Sequence, residues 1–122
     1  MNYCVIGMGS NEQPEYHCRL MIEALRQTFG DIQVSDLCKT PALGVKAADY
    51  INAVVAFRAE ITYPALRGWC RSLEAKLGRE RGQVKCCADL DILYCADDEP
   101  SVGAVACVDE YYKQGVQQVL AC

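Results

Sequence analysis

The chain has little of what most enzyme chemistries ask for. It carries a single histidine, His17, with no partner at zinc-ligand spacing and no C-x-x-C pair anywhere. A Ser/His or Cys/His nucleophile therefore has little to draw on. No apolar run approaches the roughly 20 residues that span a bilayer, so we expect no membrane segment. Net positive charge is also lacking: the formal charge is −4, which argues against nucleic acid as a partner. An anionic ligand must then rely on a local cluster or on metal ions. The N-terminus, Met1-Asn2-Tyr3-Cys4-Val5-Ile6, lacks a basic leader region, so no signal peptide and a cytoplasmic location are expected. Repeats, low-complexity tracts and linkers are missing too. We read residues 1–122 as one domain, since 52% hydrophobic against 23% charged residues describes a folded chain rather than a disordered one.

Cysteine is the residue in excess. There are 9, at positions 4, 18, 38, 70, 86, 87, 95, 107 and 122. Most stand where Val, Ala or Ser would fit, and free Cys buries as a small hydrophobe. We read them as free thiols, which a reducing or anaerobic cytoplasm tolerates; a metal site or disulfides are the alternatives.

Residues 2–8 read as a strand ending in the turn Gly9-Ser10-Asn11. Pro14 opens a helix whose Leu20, Met21, Ala24, Leu25 and Thr28 recur at helical spacing until Gly30; His17 lies on it, solvated or half-buried. Ile32, Val34 and Leu37 give a second strand running to Thr40-Pro41, followed by a loop to Asp49. Tyr50 to Phe57 reads as a third strand, apolar enough to be central. Thr62 can cap a helix that starts near Pro64, places Leu66, Trp69, Cys70, Leu73, Ala75 and Leu77 in the core, and stops at Gly78. Ala88 to Tyr94 is the fourth strand, with Leu90, Ile92 and Tyr94 on one face and Asp89, Asp91 and Leu93 on the other. Asp97-Asp98-Glu99-Pro100 is a solvated turn; Val102 to Val108 reads as a further strand and Asp109 to Leu120 as a short helix. The order β-α-β-β-α-β predicts an α+β, ferredoxin-like antiparallel sheet with helices packed on one face.

Two carboxylates at i and i+2 of a strand point the same way. Asp89 and Asp91 can hold a hard cation such as Mg²⁺ between them, and Arg79 and Arg81 upstream suit the phosphates that accompany it. Solvent-facing acids and a charge complement at the helix end are the bland alternatives.

Five motifs in order then resemble a known family: Gly9-Ser10-Asn11, Thr40-Pro41-x-x-Gly44, Tyr50-x-Asn52-Ala53-Val54, Glu74-x-x-Leu77-Gly78-Arg79-x-Arg81 and Asp89-Leu90-Asp91-Ile92. Together, over about residues 3–95, they look like 6-hydroxymethyl-7,8-dihydropterin pyrophosphokinase. The resemblance implies the same ferredoxin-like fold and a reaction in folate biosynthesis in which the pterin hydroxymethyl oxygen attacks the β-phosphorus of ATP and AMP leaves. It implies ATP and the pterin as partners, and Mg²⁺ as cofactor, two ions on Asp89 and Asp91. It also implies a pterin pocket of Thr40, Pro41, Leu43, Tyr50 and Asn52, with Glu74, Arg79, Arg81 and Lys85 on the nucleotide side and Asp89, Asp91 and Arg79 carrying the chemistry.

This chain departs from that pattern in two places. Family members usually carry Gly-Pro-Arg before the acids; here Val84-Lys85-Cys86-Cys87 stands there, the arginine falling on Cys86 and Lys85 offering only a point charge. The loop between Arg81 and Asp89 is shorter and lacks its tryptophan. Val108 to Leu120 contains no His, Arg or Phe, so one aromatic wall of the pterin pocket is missing. Two alternatives stay open: a catalytically impaired homologue that binds pterin or nucleotide, and a non-enzymatic ferredoxin-like interaction module. The sequence leaves oligomeric state open.

Overall fold

In a computed structural model the residues described are 1–40, 50–80, 82, 85–105 and 109–120, with the Thr40 side chain outside that set. Strand β1 (Asn2–Ser10) is paired antiparallel on both sides, with β4 (Tyr50–Ala59) and β5 (Asp89–Ala96). Strands β2 (Gln33–Val34) and β3 (Cys38–Thr40) pair with the far side of β4. The order is β2-β4-β1-β5, with β3 also on β4. Helices α1 (Pro14–Phe29), α2 (Tyr63–Lys76) and α3 (Glu110–Leu120) complete an α+β domain, compatible with the ferredoxin-like arrangement. Among the described residues no helix is long and apolar enough to cross a membrane.

Both faces of β1 and β4 are apolar, so both need cover. Cys4, Ile6, Met8, Val55 and Phe57 meet Cys18, Met21 and Leu25 of α1 and Leu66 and Cys70 of α2. On the opposite face Tyr3, Val5, Val54 and Ala56 pack under Tyr112, Val116 and Val119 of α3. The two helices expected on one face, α1 and α2, lie there, and α3 covers the opposite face. That third helix fills the demand created by the alternate residues of the two central strands. Thr62 caps α2 as its sequence indicates, accepting the Ala65 N–H at 3.3 Å.

Two irregularities separate the observed strands from the expected ones. The second strand is split, because the Ser35 hydroxyl accepts the Val54 N–H at 2.8 Å while the Ser35 N–H donates to the Val54 carbonyl. The side chain replaces a ladder partner, residues 35–37 bow out, and Leu37 is left exposed. In β5 the register against β1 jumps from Tyr94 opposite Val5 to Ile92 opposite Ile6, leaving Leu93 as an extra residue. This bulge resets the alternation, so Tyr94 joins Leu93 on the α3 face and Cys95 turns to the other, opposite Cys4. Ala75 and Thr28 are exposed rather than core residues. Val102–Val105 forms a 3₁₀ turn instead of a strand, burying Val105 beneath α3, and residues 106–108 lie outside the described set.

Candidate active site

Glycine at two alternate positions of β1 clears a trough across the sheet. The rows Cys38–Asn52–Gly9–Asp89 and Val54–Gly7–Asp91 cross β1 on its α3 face. A Cβ on Gly9 would stand 2.5 Å from Asn52 Oδ1, and one on Gly7 would stand 2.5 Å from the Tyr112 ring. The amide of Asn52 and the ring of Tyr112 therefore lie over the central strand only because no side chain occupies it.

Asp89 and Asp91 rise on the far side of that trough. Both are half-buried, and β5 has a free outer edge among the described residues, because its paired neighbour is β1 alone. A cleft of about 340 Å³ runs round this edge, lined by both acids, Leu90 and Ile92 together with Tyr63, Arg67, Cys70, Arg71, Glu74 and Arg79. A smaller cavity of about 110 Å³ opens on the other flank, between α3 and β3–β4, and includes Cys38, Asn52, Tyr111 and Gln114. The acids sit between the cleft and Asn52.

Arg79 links the acids to α2. Its Nη1 donates to Glu74 Oε2 at 2.7 Å, to Asp89 Oδ1 at 2.9 Å and to the Ala88 carbonyl at 3.3 Å. Glu74 is buried and also accepts the Leu90 N–H at 2.8 Å, so one carboxylate fixes both the guanidinium and the start of β5. Burial and the neighbouring Asp89 push the Asp91 carboxyl up to about 6, against a hydrogen bond from the Tyr112 hydroxyl at 3.2 Å that favours its charged form. The site is thus short of positive charge at Asp91. Two carboxylates suit a hard cation. Among the described residues no group of three or more His, Cys, Asp or Glu is placed to hold an ion. The protein would then supply two carboxylates and leave the remaining positions to water and phosphate oxygens, the usual pattern for Mg²⁺.

The turn after β1 does its work through the backbone. Asn11 donates its N–H to the Cys86 carbonyl at 2.8 Å and accepts the Cys86 N–H on Oδ1; the Ser10 hydroxyl reaches the same carbonyl at 3.4 Å. Cys86 and Cys87 are buried by this clamp, and the Cys87 thiol donates to the Leu77 carbonyl at 3.3 Å. Burial, followed by the nearby Cys86 thiol, pushes the Tyr50 phenol up to about 12.

The sequence matches the family described as 7,8-dihydro-6-hydroxymethylpterin-pyrophosphokinase over residues 5–113. The chain belongs to that family. Membership carries pyrophosphate transfer in folate biosynthesis, a kinase-type transferase activity, at the level of the family. No curated protein matches the chain.

Set against that pyrophosphokinase family, the structure brings Asp89, Asp91, Arg79 and Glu74 into direct contact or adjacent rows, with Tyr50 and Asn52 across the trough. Thr40 pairs with Tyr50 through its backbone. Lys85 is exposed beside the buried Cys86, and Pro41, Leu43 and Arg81 lie outside the described residues. Glu74 holds the site together from beneath, a role its place among expected nucleotide contacts does not convey. Sequence reasoning missed Tyr112 and Tyr111, whose rings meet edge to face at 4.6 Å above the acids. The absence of Phe in this stretch drew attention away from adjacent tyrosines whose helical phase faces the sheet.

Proposed function

We propose that this chain transfers the pyrophosphoryl group of ATP to the hydroxymethyl oxygen of 6-hydroxymethyl-7,8-dihydropterin, in a Mg²⁺-dependent reaction on a ferredoxin-like scaffold. The observation that carries the reading is the placement of Asp89 and Asp91 side by side at the sheet edge, between the α2 cleft and Asn52. In the proposal Asp89 and Asp91 hold two Mg²⁺, which when bound would polarise the phosphoryl oxygens and neutralise developing charge. Arg79 orients Asp89 and adds charge toward the phosphates. Tyr50 and Asn52, with Thr40, Pro41 and Leu43, receive the pterin, for which an amide offers both donor and acceptor. Arg81 and Lys85 extend the nucleotide side. The substrate hydroxyl is itself the nucleophile, so no protein nucleophile is required. The hydroxyl gives up its proton to solvent, an oxygen–β-phosphorus bond forms, the bond from the β-phosphorus to the bridging oxygen breaks, and AMP leaves carrying that oxygen.

One observation favours a second reading, an impaired homologue that binds without turning over. Cys86 stands where the resembled pattern has a phosphate-binding arginine, and its backbone is locked by Asn11. Losing such an arginine costs a rate factor of about 10³ or more.

Calorimetry followed by an assay for AMP release separates the readings: binding of both ligands with AMP release supports transfer, and binding without AMP release supports the impaired homologue. We expect the pterin to bind, and a non-hydrolysable ATP analogue to bind only with Mg²⁺, and Asp89→Asn with Asp91→Asn to abolish the Mg²⁺ requirement together with nucleotide binding. Nucleotide binding that ignores both Mg²⁺ and the double substitution contradicts the proposal, and binding of neither ligand favours an interaction module.

A further inference from the structure

Helix α2 turns an unusual stripe toward the acids. Tyr63, Arg67, Cys70, Arg71 and Glu74 all line the edge cleft, at the i, i+4, i+7, i+8 and i+11 spacing of one helical face. Cys70 and Glu74 are buried, as expected of its inner margin; Tyr63, Arg67 and Arg71 are exposed on the outer one. An exposed arginine on a helix is ordinarily a solvated charge. These two differ in what surrounds them. Of the three guanidiniums in the cleft, Arg79 is engaged by Glu74 and Asp89, whereas among the described residues no ion pair or hydrogen bond engages Arg67 or Arg71. They leave a pair of uncompensated positive charges on the helix side of a cleft of about 340 Å³ that Asp89 and Asp91 also line.

We propose that Arg67 and Arg71 are phosphate-binding residues of the nucleotide site and that Tyr63 carries the nucleotide base. This rests on the pyrophosphokinase reading and deepens it, because it names where the missing phosphate clamp has gone. The nine residues from Tyr63 to Arg71 span about 12 Å along the helix. A flat aromatic surface at one end and paired guanidiniums at the other match a base joined to a polyphosphate. The acids line the same cleft, so a polyphosphate held there would meet the fixed charge of the guanidiniums together with the carboxylates' cations. A guanidinium also grips phosphate oxygens as a bidentate fork, which Lys85 cannot do. The cleft therefore still offers guanidiniums to a phosphate although Cys86 stands where the resembled pattern has an arginine.

The test is calorimetry on the full chain with two probes, the Mg²⁺ complex of β,γ-methylene ATP and Mg²⁺ tripolyphosphate, which has phosphates but no base. Arg67→Ala with Arg71→Ala should weaken both probes by about 10- to 100-fold, as expected for lost charge-assisted hydrogen bonds. Replacing both by Lys should weaken them less. Tyr63→Ala should weaken the nucleotide about 10-fold, the scale of one base–aromatic stack, and leave tripolyphosphate unchanged. Arg26→Ala, on α1 and away from the cleft, should change neither. All substituted side chains are exposed, so circular dichroism and melting should match wild type. Wild-type affinity for both probes in the double Ala variant overturns the inference and leaves the pyrophosphokinase reading standing. A wild-type chain that binds neither probe overturns both.

Discussion

Gly7 and Gly68 show how differently one residue type is used in this chain. A methyl on Gly7 meets the Tyr112 ring at 2.5 Å, while a methyl on Gly68 in α2 meets nothing within 4 Å. Gly7→Ala should cost about 1–3 kcal/mol through overpacking and pull the Tyr112 hydroxyl away from Asp91. Gly68→Ala should stabilise by about 0.5–1 kcal/mol, because alanine restricts the unfolded chain and suits a helix. Urea unfolding of the two variants reads both signs, and equal effects would refute the trough. Asp91 makes a prediction in pH. Its folded carboxyl titrates near 6 against an ordinary value of 3.8, so burial favours the neutral form. In metal-free protein the stability it contributes is complete below about pH 4 and is lost as pH rises through 6. Asp91→Asn should flatten that part of the melting-temperature profile, and identical slopes for wild type and variant between pH 4 and 7 would contradict the assignment.

At the scale of elements, α2 and β5 are joined by a single buried carboxylate. Glu74 holds Arg79 and the Leu90 N–H, and Arg79 holds Asp89. Glu74→Ala should cost about 3 kcal/mol, since it leaves the buried Leu90 N–H without its acceptor and takes one of two carboxylates from a partly buried guanidinium. Glu74→Gln, which keeps an acceptor, should cost less; thermal unfolding that ranks them the other way would show the ion pair to be idle. The sequence order of strands and the two long helices was legible because each carries a strong period: the apolar β1 and β4, and the stripe of α2. The acid pair was legible for the same reason, since alternation on a strand is local. What was not legible depends on contacts distant in sequence. Ser35 breaks the second strand by bonding Val54, Leu93 bulges against Val5, and Tyr112 faces Asp91 only because α3 crosses Gly7.

Across the whole molecule, the central strands bury both faces while the acids sit on the edge strand, so the site lies where the sheet opens rather than in its core. The cysteines follow the same division. Burial pushes the Cys4 and Cys70 thiols up to about 12 and Cys18 to about 11, and all seven described cysteines are free. Native protein at pH 8 should therefore leave these three thiols unlabelled by iodoacetamide while denatured protein exposes them, as read by peptide mass. Rapid labelling of Cys18 in the native state would show that the α1 face opens. This division leaves the edge strand open for the transfer we propose there. The most direct test of that transfer is to incubate the chain with 6-hydroxymethyl-7,8-dihydropterin, ATP and Mg²⁺ and identify the nucleotide product. AMP should appear together with the pterin pyrophosphate, and Asp89→Asn or Asp91→Asn should abolish both. ADP as the product, or no turnover while both substrates are bound, would contradict the proposed transfer.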